Sequence, residues 1–245
     1  MHVQRETLRY SKSQIDKAAD VWRRWTGATD VRNFDFNELE DALGKVDHYR
    51  ACHAYPLQKA TMGLRSTVST FGAPLQISQR LKRFQTILDK LHREPKMNLS
   101  RMQDIGGCRA ILPDIATLRK VQKRLERRNG YIRAYDYIET PRASGYLQYR
   151  GIHVILAYDE RQIEVQLRTP VMHDWSIAVE RFAGRSQEDL KSGEGSADLL
   201  LFLKKVSEAM ALQENRHPVP VDLLAEVTRL RGVVVTYMST KEGNV

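Results

Sequence analysis

The spacing of apolar positions changes several times along the chain, and each change predicts an element. Ile15, Ala18, Ala19, Trp22 and Trp25 recur at helical intervals, which predicts a helix over residues 12–26 with Lys12, Lys17, Arg23 and Arg24 around it. The pair Arg23-Arg24 is a candidate contact for an acidic partner. A second helix fits residues 35–51. Pro56 marks a break before a third, which runs from 57 to about 70. From Ile77 to Arg93 the residues Ile77, Leu81, Phe84, Ile87, Leu88 and Leu91 share one helical face, with Lys82, Lys90 and Arg93 opposite. Arg80 lies at the margin of that face, so it can serve a ligand only if the helix starts late.

Beyond Pro95 the period shortens. Asn98 or Ser100 caps a short turn that leads through Asp104-Ile105-Gly106-Gly107-Cys108-Arg109 into an apolar strand, Ala110 to Leu112. A basic amphipathic helix follows from Asp114 to Arg128. Asn129-Gly130 then turns the chain into a strand, Tyr131 to Ile138. Another strand, Ile152 to Tyr158, is joined through Asp159–Gln162 to Ile163–Thr169, where alternation is strict. There Ile163, Val165 and Leu167 form a buried face, and Glu164, Gln166 and Arg168 form a polar row. Helices are predicted from Pro170 to Gly184, from about Asp198 to Arg216 and from about Val221 to Arg231, before a loose tail, Lys241 to Val245.

Strands interleaved with helices predict an α/β (α+β) fold, a small mixed sheet of about five strands flanked by helices. The expected organisation is a helical section over residues 1–72, a core over 73–185, and C-terminal helices with a tail over 186–245, in one structural domain. No internal repeat or heptad series interrupts this plan.

Composition narrows the function. Hydrophobic residues at 42% and charged residues at 28% fit a soluble globular protein, with no apolar run approaching the roughly 18 residues of a membrane span. The start, Met1 to Glu6, is polar and shows no export signal, so the cytoplasm is the expected location. Cys52 and Cys108 have neither disulfide nor zinc spacing and are expected as buried free thiols. A net charge of +9 favours polyanionic partners: nucleotides, phosphates or RNA.

Two carboxylates stand out within that basic setting. Asp104 precedes one strand and Glu164 lies in another, and neighbouring strands could bring both to one Mg²⁺, which accepts a carboxylate pair together with substrate phosphates. Lys82, Lys90, Arg93 and Arg109 supply positive charge for a triphosphate, and the Gly106-Gly107 turn lets backbone approach a ligand. Such a set suits phosphoryl or pyrophosphoryl transfer. No GxxxxGK[ST] loop is present, so side chains would hold the nucleotide. In the loop from Pro141 to His153, Tyr146 or Tyr149 could stack on a base while Arg142 or Arg150 holds a phosphate. The simpler reading of His153 is a hydrogen-bonding core histidine.

These segments, in this order, resemble the RelA/SpoT synthetase family in its single-domain small alarmone synthetase form. Arg80-Leu81-Lys82 with Lys90 to Arg93 looks like the family's ATP-binding helix, and Asp104 to Arg109 looks like its metal-binding turn. Asp136-Tyr137-Ile138, Pro141-Arg142 and Gly145-Tyr146 look like the acceptor loop, and Glu164 to Thr169, followed by Met172-His173 and Trp175, looks like the second acidic motif. The resemblance covers roughly residues 50–182. It implies a nucleotidyltransferase-like synthetase fold and Mg²⁺-dependent transfer of pyrophosphate from ATP to a ribose 3′-hydroxyl, with release of AMP. It also implies that Arg80, Lys82, Lys90, Arg93 and Arg109 hold ATP and that Asp104 and Glu164 hold the metal. Glu164 would help deprotonate the hydroxyl, Tyr146 would stack on the acceptor base, and Gln166, Arg168 and His153 would shape the acceptor side. Two departures matter. Leu147-Gln148-Tyr149 intervenes before Arg150-Gly151-Ile152-His153, so either tyrosine could stack, and Arg142 stands where a lysine is usual.

Within the family the acceptor is GDP or GTP, giving (p)ppGpp, or the 3′-CCA end of tRNA in toxic members that arrest translation. His53-Ala54-Tyr55-Pro56-Leu57 and Arg150-Gly151-Ile152-His153 resemble the toxic branch, so a tRNA-modifying toxin is the first expectation and (p)ppGpp synthesis the alternative. A catalytically inactive RNA-binding or regulatory module is the alternative of another class. The final helices could receive an antitoxin protein or form a homo-oligomer contact.

Overall fold

The computed structural model describes residues 5–30, 32, 35–73, 76–140, 148–190 and 193–242. Helix α1, Lys12–Thr26, starts behind Ser11 in a capping box: the Ser11 hydroxyl accepts from the Gln14 amide while the Gln14 side chain accepts from the Ser11 amide. Helix α2, Phe36–Ala51, starts on Asp35, whose carboxylate accepts from the Asn37 and Glu38 amides. Helix α3, Ala54–Ser69, begins before the expected break. Pro56 lies in its first turn, where a missing N–H leaves no helical bond unmade.

The predicted helix from Ile77 is corrected. Gln76–Leu81 is strand β1, and helix α4 covers only Phe84–Arg93. Ile77, Gln79 and Leu81 also fit a period of two, and pairing with the next strand decides between the periods: the Lys82 amide donates to the Ile105 carbonyl at 2.8 Å. A single 3-10 turn, Leu99–Arg101, precedes strand β2, Gly106–Ile111. The two glycines therefore lie in a strand, which corrects the expected turn. A Cβ on Gly106 would stand 2.7 Å from Ile163 Cδ1, so a larger residue there would make the Ile163 side chain shift.

Helix α5, Ile115–Glu126, leads to strand β3, Tyr131–Asp136, then β4, Ile152–Tyr158, and β5, Arg161–Arg168. Asp159 and Glu160 join the last two strands with φ of 45° and 63°, the left-handed pair of a two-residue hairpin turn. The sheet order is β1-β2-β5-β4-β3. Bonds from Leu112 N to Arg168 O and from Ala157 N to Gly130 O make β2 and β5 parallel and β3 and β4 antiparallel, so the sheet is mixed. Helices α6, Pro170–Ser186, α7, Ala197–Glu214, and α8, Val221–Glu242, complete the α+β fold. Helix α8 runs past its predicted end near Arg231 because Leu230, Val234 and Met238 continue one buried row. Among the described residues no helix is long and apolar enough to cross a membrane.

The chain divides into two compact units. The first comprises residues up to Ala110, Ala116–Ala134 and His153–Leu167. One of its cores gathers Ile15, Ala19, Val46, Ile87, Leu91 and Leu99 from α1, α2, α4 and the 3-10 turn. Arg23 belongs to this framework. It pairs with Asp20 and donates to the carbonyls of Leu91 and Met97, so Arg23 is spent within the fold, while Arg24 makes an exposed pair with Glu38. The second unit comprises Ile111–Ile115, Tyr135–Ile152 and the chain from Arg168 onward. Trp175, Val179, Leu199, Leu203, Val234 and Met238 form its core with Tyr137 and Tyr149, and Trp175 Nε1 donates to the Leu203 carbonyl at 3.1 Å. Cys52 and Cys108 are buried free thiols.

Candidate active site

The late start of α4 leaves Lys82 at the end of β1 and Lys90 two turns into the helix, both aimed at Asp104. Lys82 Nζ lies 2.6 Å from Asp104 Oδ2 and Lys90 Nζ 3.0 Å from Asp104 Oδ1. Burial pushes the Asp104 carboxyl up, but the two ammonium groups more than offset this and hold it at about 2. Burial in turn pulls the Lys82 ammonium down despite Asp104, so the contact is worth less than the carboxyl's shift alone suggests. Arg80 is exposed on β1 and adds to the positive potential at Lys82. Arg93 is exposed at the end of α4.

Glu164 sits on β5, where alternation turns it away from buried Ile163 and Val165. Its Oε1 lies 2.8 Å from His153 Nδ1, and its Oε2 accepts from Gln166 Nε2 at 2.7 Å. Burial raises the carboxyl's pKa, as does the Asp104 charge; His153 and the Gln166 amide outweigh both and leave it lowered. Gln166 also accepts from Arg109 Nε at 3.2 Å across the β2/β5 pair. Asp104, Glu164, Lys82, Lys90, Arg109, His153 and Gln166 thus form one electrostatically connected group within the first unit.

Two ionised carboxylates are hard oxygen donors that fit Mg²⁺, which keeps several waters and takes its remaining ligands from phosphates. Among the described residues no cluster of three or more His, Cys, Asp and Glu side chains forms a fuller metal cage. Nearby lysines and arginines suit the binding of a polyphosphate, with charge stabilisation as the available chemistry.

Three expected acceptor residues are placed otherwise, all in the second unit. Tyr149 is 4% exposed, its ring packed edge-on to Tyr137 and against Trp175, so it fills a core and does not stack on a base. Arg168 is buried over the Tyr149 ring at 5.2 Å and donates from Nε to the Tyr149 hydroxyl at 3.2 Å, so it does not continue the open polar row of Glu164 and Gln166. Arg150 is buried 2.7 Å from Glu214 Oε2, and Glu214 also accepts from Thr169, the N-cap of α6. That ion pair ties the segment before β4 to the end of α7 rather than holding a substrate phosphate. Arg142 and Tyr146 lie outside the described residues. The bridging position of Gln166 and the partnership of Glu214 carried no sequence signal, since each depends on what the fold lays beside it.

Comparison with known proteins bears on the fold that carries these residues. Residues 79–181 match the family model described as the region found in RelA / SpoT proteins. An uncharacterized protein of Mycobacterium tuberculosis is 32% identical over 111 residues, which cover 44% of this chain and 40% of that relative. The chain thus spans well under two thirds of the curated relatives it matches. Small alarmone synthetase 1 from Bacillus subtilis, in a crystal structure bound to its product pppGpp, is similar with a TM-score of 0.60 and 21% identity over 71% of this chain and 95% of that one. Small alarmone synthetase 2 from the same organism gives 0.57 and 21% over 69% and 94%. A GTP pyrophosphokinase family protein from Streptococcus pneumoniae gives 0.54 and 21% over 73% and 90%. The chain therefore carries, over residues 79–181, a match to the region found in RelA / SpoT proteins, on the fold of the small alarmone synthetases.

Proposed function

We propose that the protein transfers pyrophosphate from ATP to a ribose 3′-hydroxyl. The observation that supports this most directly is the pair Asp104 and Glu164, coupled through space and set among Lys82, Lys90 and Arg109. In this reading Arg80, Lys82, Lys90, Arg93 and Arg109 take the triphosphate. A phosphate that draws Lys82 and Lys90 onto its oxygens would free the Asp104 carboxylate. Mg²⁺, held by Asp104 and Glu164, would supply charge to the developing phosphate oxygens. The acceptor oxygen attacks the β-phosphorus, the bond from that phosphorus to the α-phosphate bridging oxygen breaks, and AMP leaves. Glu164, held ionised by its contacts with His153 and Gln166, would take the hydroxyl proton.

The preferred acceptor is the 3′-CCA end of tRNA, a translation-inhibiting reaction of a toxin. Support comes from the residues that resemble the toxic branch and from the net charge of +9. A guanine nucleotide is the second reading, favoured by the relative crystallised with pppGpp. Incubation with γ-labelled ATP and either tRNA or GDP tests both: label on tRNA is expected, label on GDP alone would replace the first reading with the second, and label on neither would remove the enzymatic one. Asp104→Ala and Glu164→Ala proteins should each lose transfer by at least about a hundredfold. Their keeping every cellular effect of the parent would instead favour a non-catalytic module.

A further inference from the structure

Some cations elsewhere in this protein are paired with an acid on their own helix. Lys45 pairs with Asp41 on α2, Lys205 with Glu208 on α7, and Arg229 with Glu226 on α8. Helix α5 gathers its exposed cations on one face without such a pair. Leu118, Val121 and Leu125 bury one of its faces, and the opposite face exposes Lys120, Lys123 and Arg124, with Arg127 just beyond its end. None of the four has an ion-pair partner among the described residues. The helix contains one acid, Glu126, and its carboxylate accepts from Gln122, which in turn accepts from Arg119. By helical rise the four cations span about 10 Å, the reach of a few successive phosphates.

The end of this row is rigidly built. Arg128 donates to the Gly63 carbonyl at 3.1 Å and to Thr67 Oγ1 at 3.2 Å, anchoring the end of α5 to α3. Gly130, at φ 91°, turns the chain directly into β3, an outer strand of the sheet, and its carbonyl accepts from the Ala157 amide at 2.7 Å. Tyr131 and Ile132 follow, 40% and 38% exposed. An aromatic ring thus stands in solvent four residues after the last cation.

We propose that the outer face of α5, together with Tyr131, binds single-stranded RNA. Lys120, Lys123, Arg124 and Arg127 take backbone phosphates and Tyr131 takes the face of a base, the pairing of a cationic track with a stacking ring that single strands require. The surface uses none of the residues assigned to pyrophosphate transfer. The choice of RNA over DNA rests on the ribose acceptor proposed above.

The test is fluorescence anisotropy with a labelled twelve-nucleotide RNA at several salt concentrations. The variant K120A/K123A/R124A/R127A, whose changes are all on the surface, should melt with the parent and bind at least about tenfold more weakly, with its salt slope reduced by roughly 3. Tyr131→Ala should weaken binding severalfold with the slope unchanged. A parent that fails to bind, a four-alanine variant with the parent's affinity and slope, or equal parent binding of polyglutamate or of single-stranded DNA would overturn the proposal. Labelled transfer by the parent is measured separately: its failure would count against the Asp104 and Glu164 reading and leave the binding result intact.

Discussion

His153 Nδ1 lies 2.8 Å from Glu164 Oε1, reaching between the antiparallel strands β4 and β5. The two-residue turn at Asp159-Glu160 sets the register that puts both side chains on one face of the sheet. Since His153 helps keep the Glu164 carboxyl lowered against burial, its removal should raise that pKa. His153→Ala should therefore shift the acidic limb of the pH–rate profile to higher pH, with less activity on that limb and a smaller change at neutral pH. An unchanged limb would mean that Glu164 is not the group titrating there.

Lys82 and Lys90 share one carboxylate, so removing either tests the donor side of the site. Lys82→Met should raise KM for ATP by about tenfold or more, and Asp104 should titrate above its present value of about 2. Carbon-detected NMR of the Asp104 carboxyl checks the second effect without any turnover.

His53 is fully buried and donates from Nδ1 to the Tyr49 carbonyl at 2.8 Å, while among the described residues Nε2 has no partner. Burial, with a smaller contribution from buried Arg161, pulls its pKa down to about 4. The folded value lies below the unfolded one, so the neutral imidazole costs nothing above about pH 6.5, and unfolded chains bind the extra proton as pH falls from there toward 4. Stability should drop by up to about 1.4 kcal/mol per pH unit across that window and level off below it. His53→Gln should flatten the slope in urea melts between pH 4 and 6.5, although it will lower stability at pH 7.

Gly130 cannot carry a side chain. With φ at 91°, a Cβ would lie 2.5 Å from the Ala157 carbonyl oxygen. Gly130→Ala should cost at least about 2 kcal/mol in chemical denaturation, by strain and by opening the bond between Gly130 O and Ala157 N. A change under about 0.5 kcal/mol would show that this turn can relax freely.

Tyr149 separates packing from substrate stacking. Tyr149→Ala should lower stability by roughly 3–5 kcal/mol, because a buried ring between Tyr137 and Trp175 is lost. Tyr149→Phe keeps the ring and loses the bond with Arg168, so it should leave KM for the acceptor within about twofold. A large rise in that KM would return Tyr149 to the acceptor site.

Much of the secondary structure was legible in the sequence because each long element carries one clear period. Residues 12–26, 36–51 and 152–158 form the elements that their spacing predicts. The short stretch 77–81 fits both periods, and a strand edge offered by β2 settled it, which only a partner strand can do.

The amino-acid order by itself determined that a carboxylate would stand just before one strand and another within a second, each among basic residues. Alternation along β5 determined that Glu164 and Gln166 would leave the apolar face. Tertiary structure decided what those side chains meet: the two lysines on Asp104, His153 on Glu164, and Gln166 between Glu164 and Arg109. It also decided that Tyr149, Arg150 and Arg168, polar or aromatic residues in the expected acceptor region, are consumed by packing and an internal ion pair. Periodicity fixes the side of an element to which a residue points, whereas burial depends on which distant segment covers that side, and no local pattern encodes that.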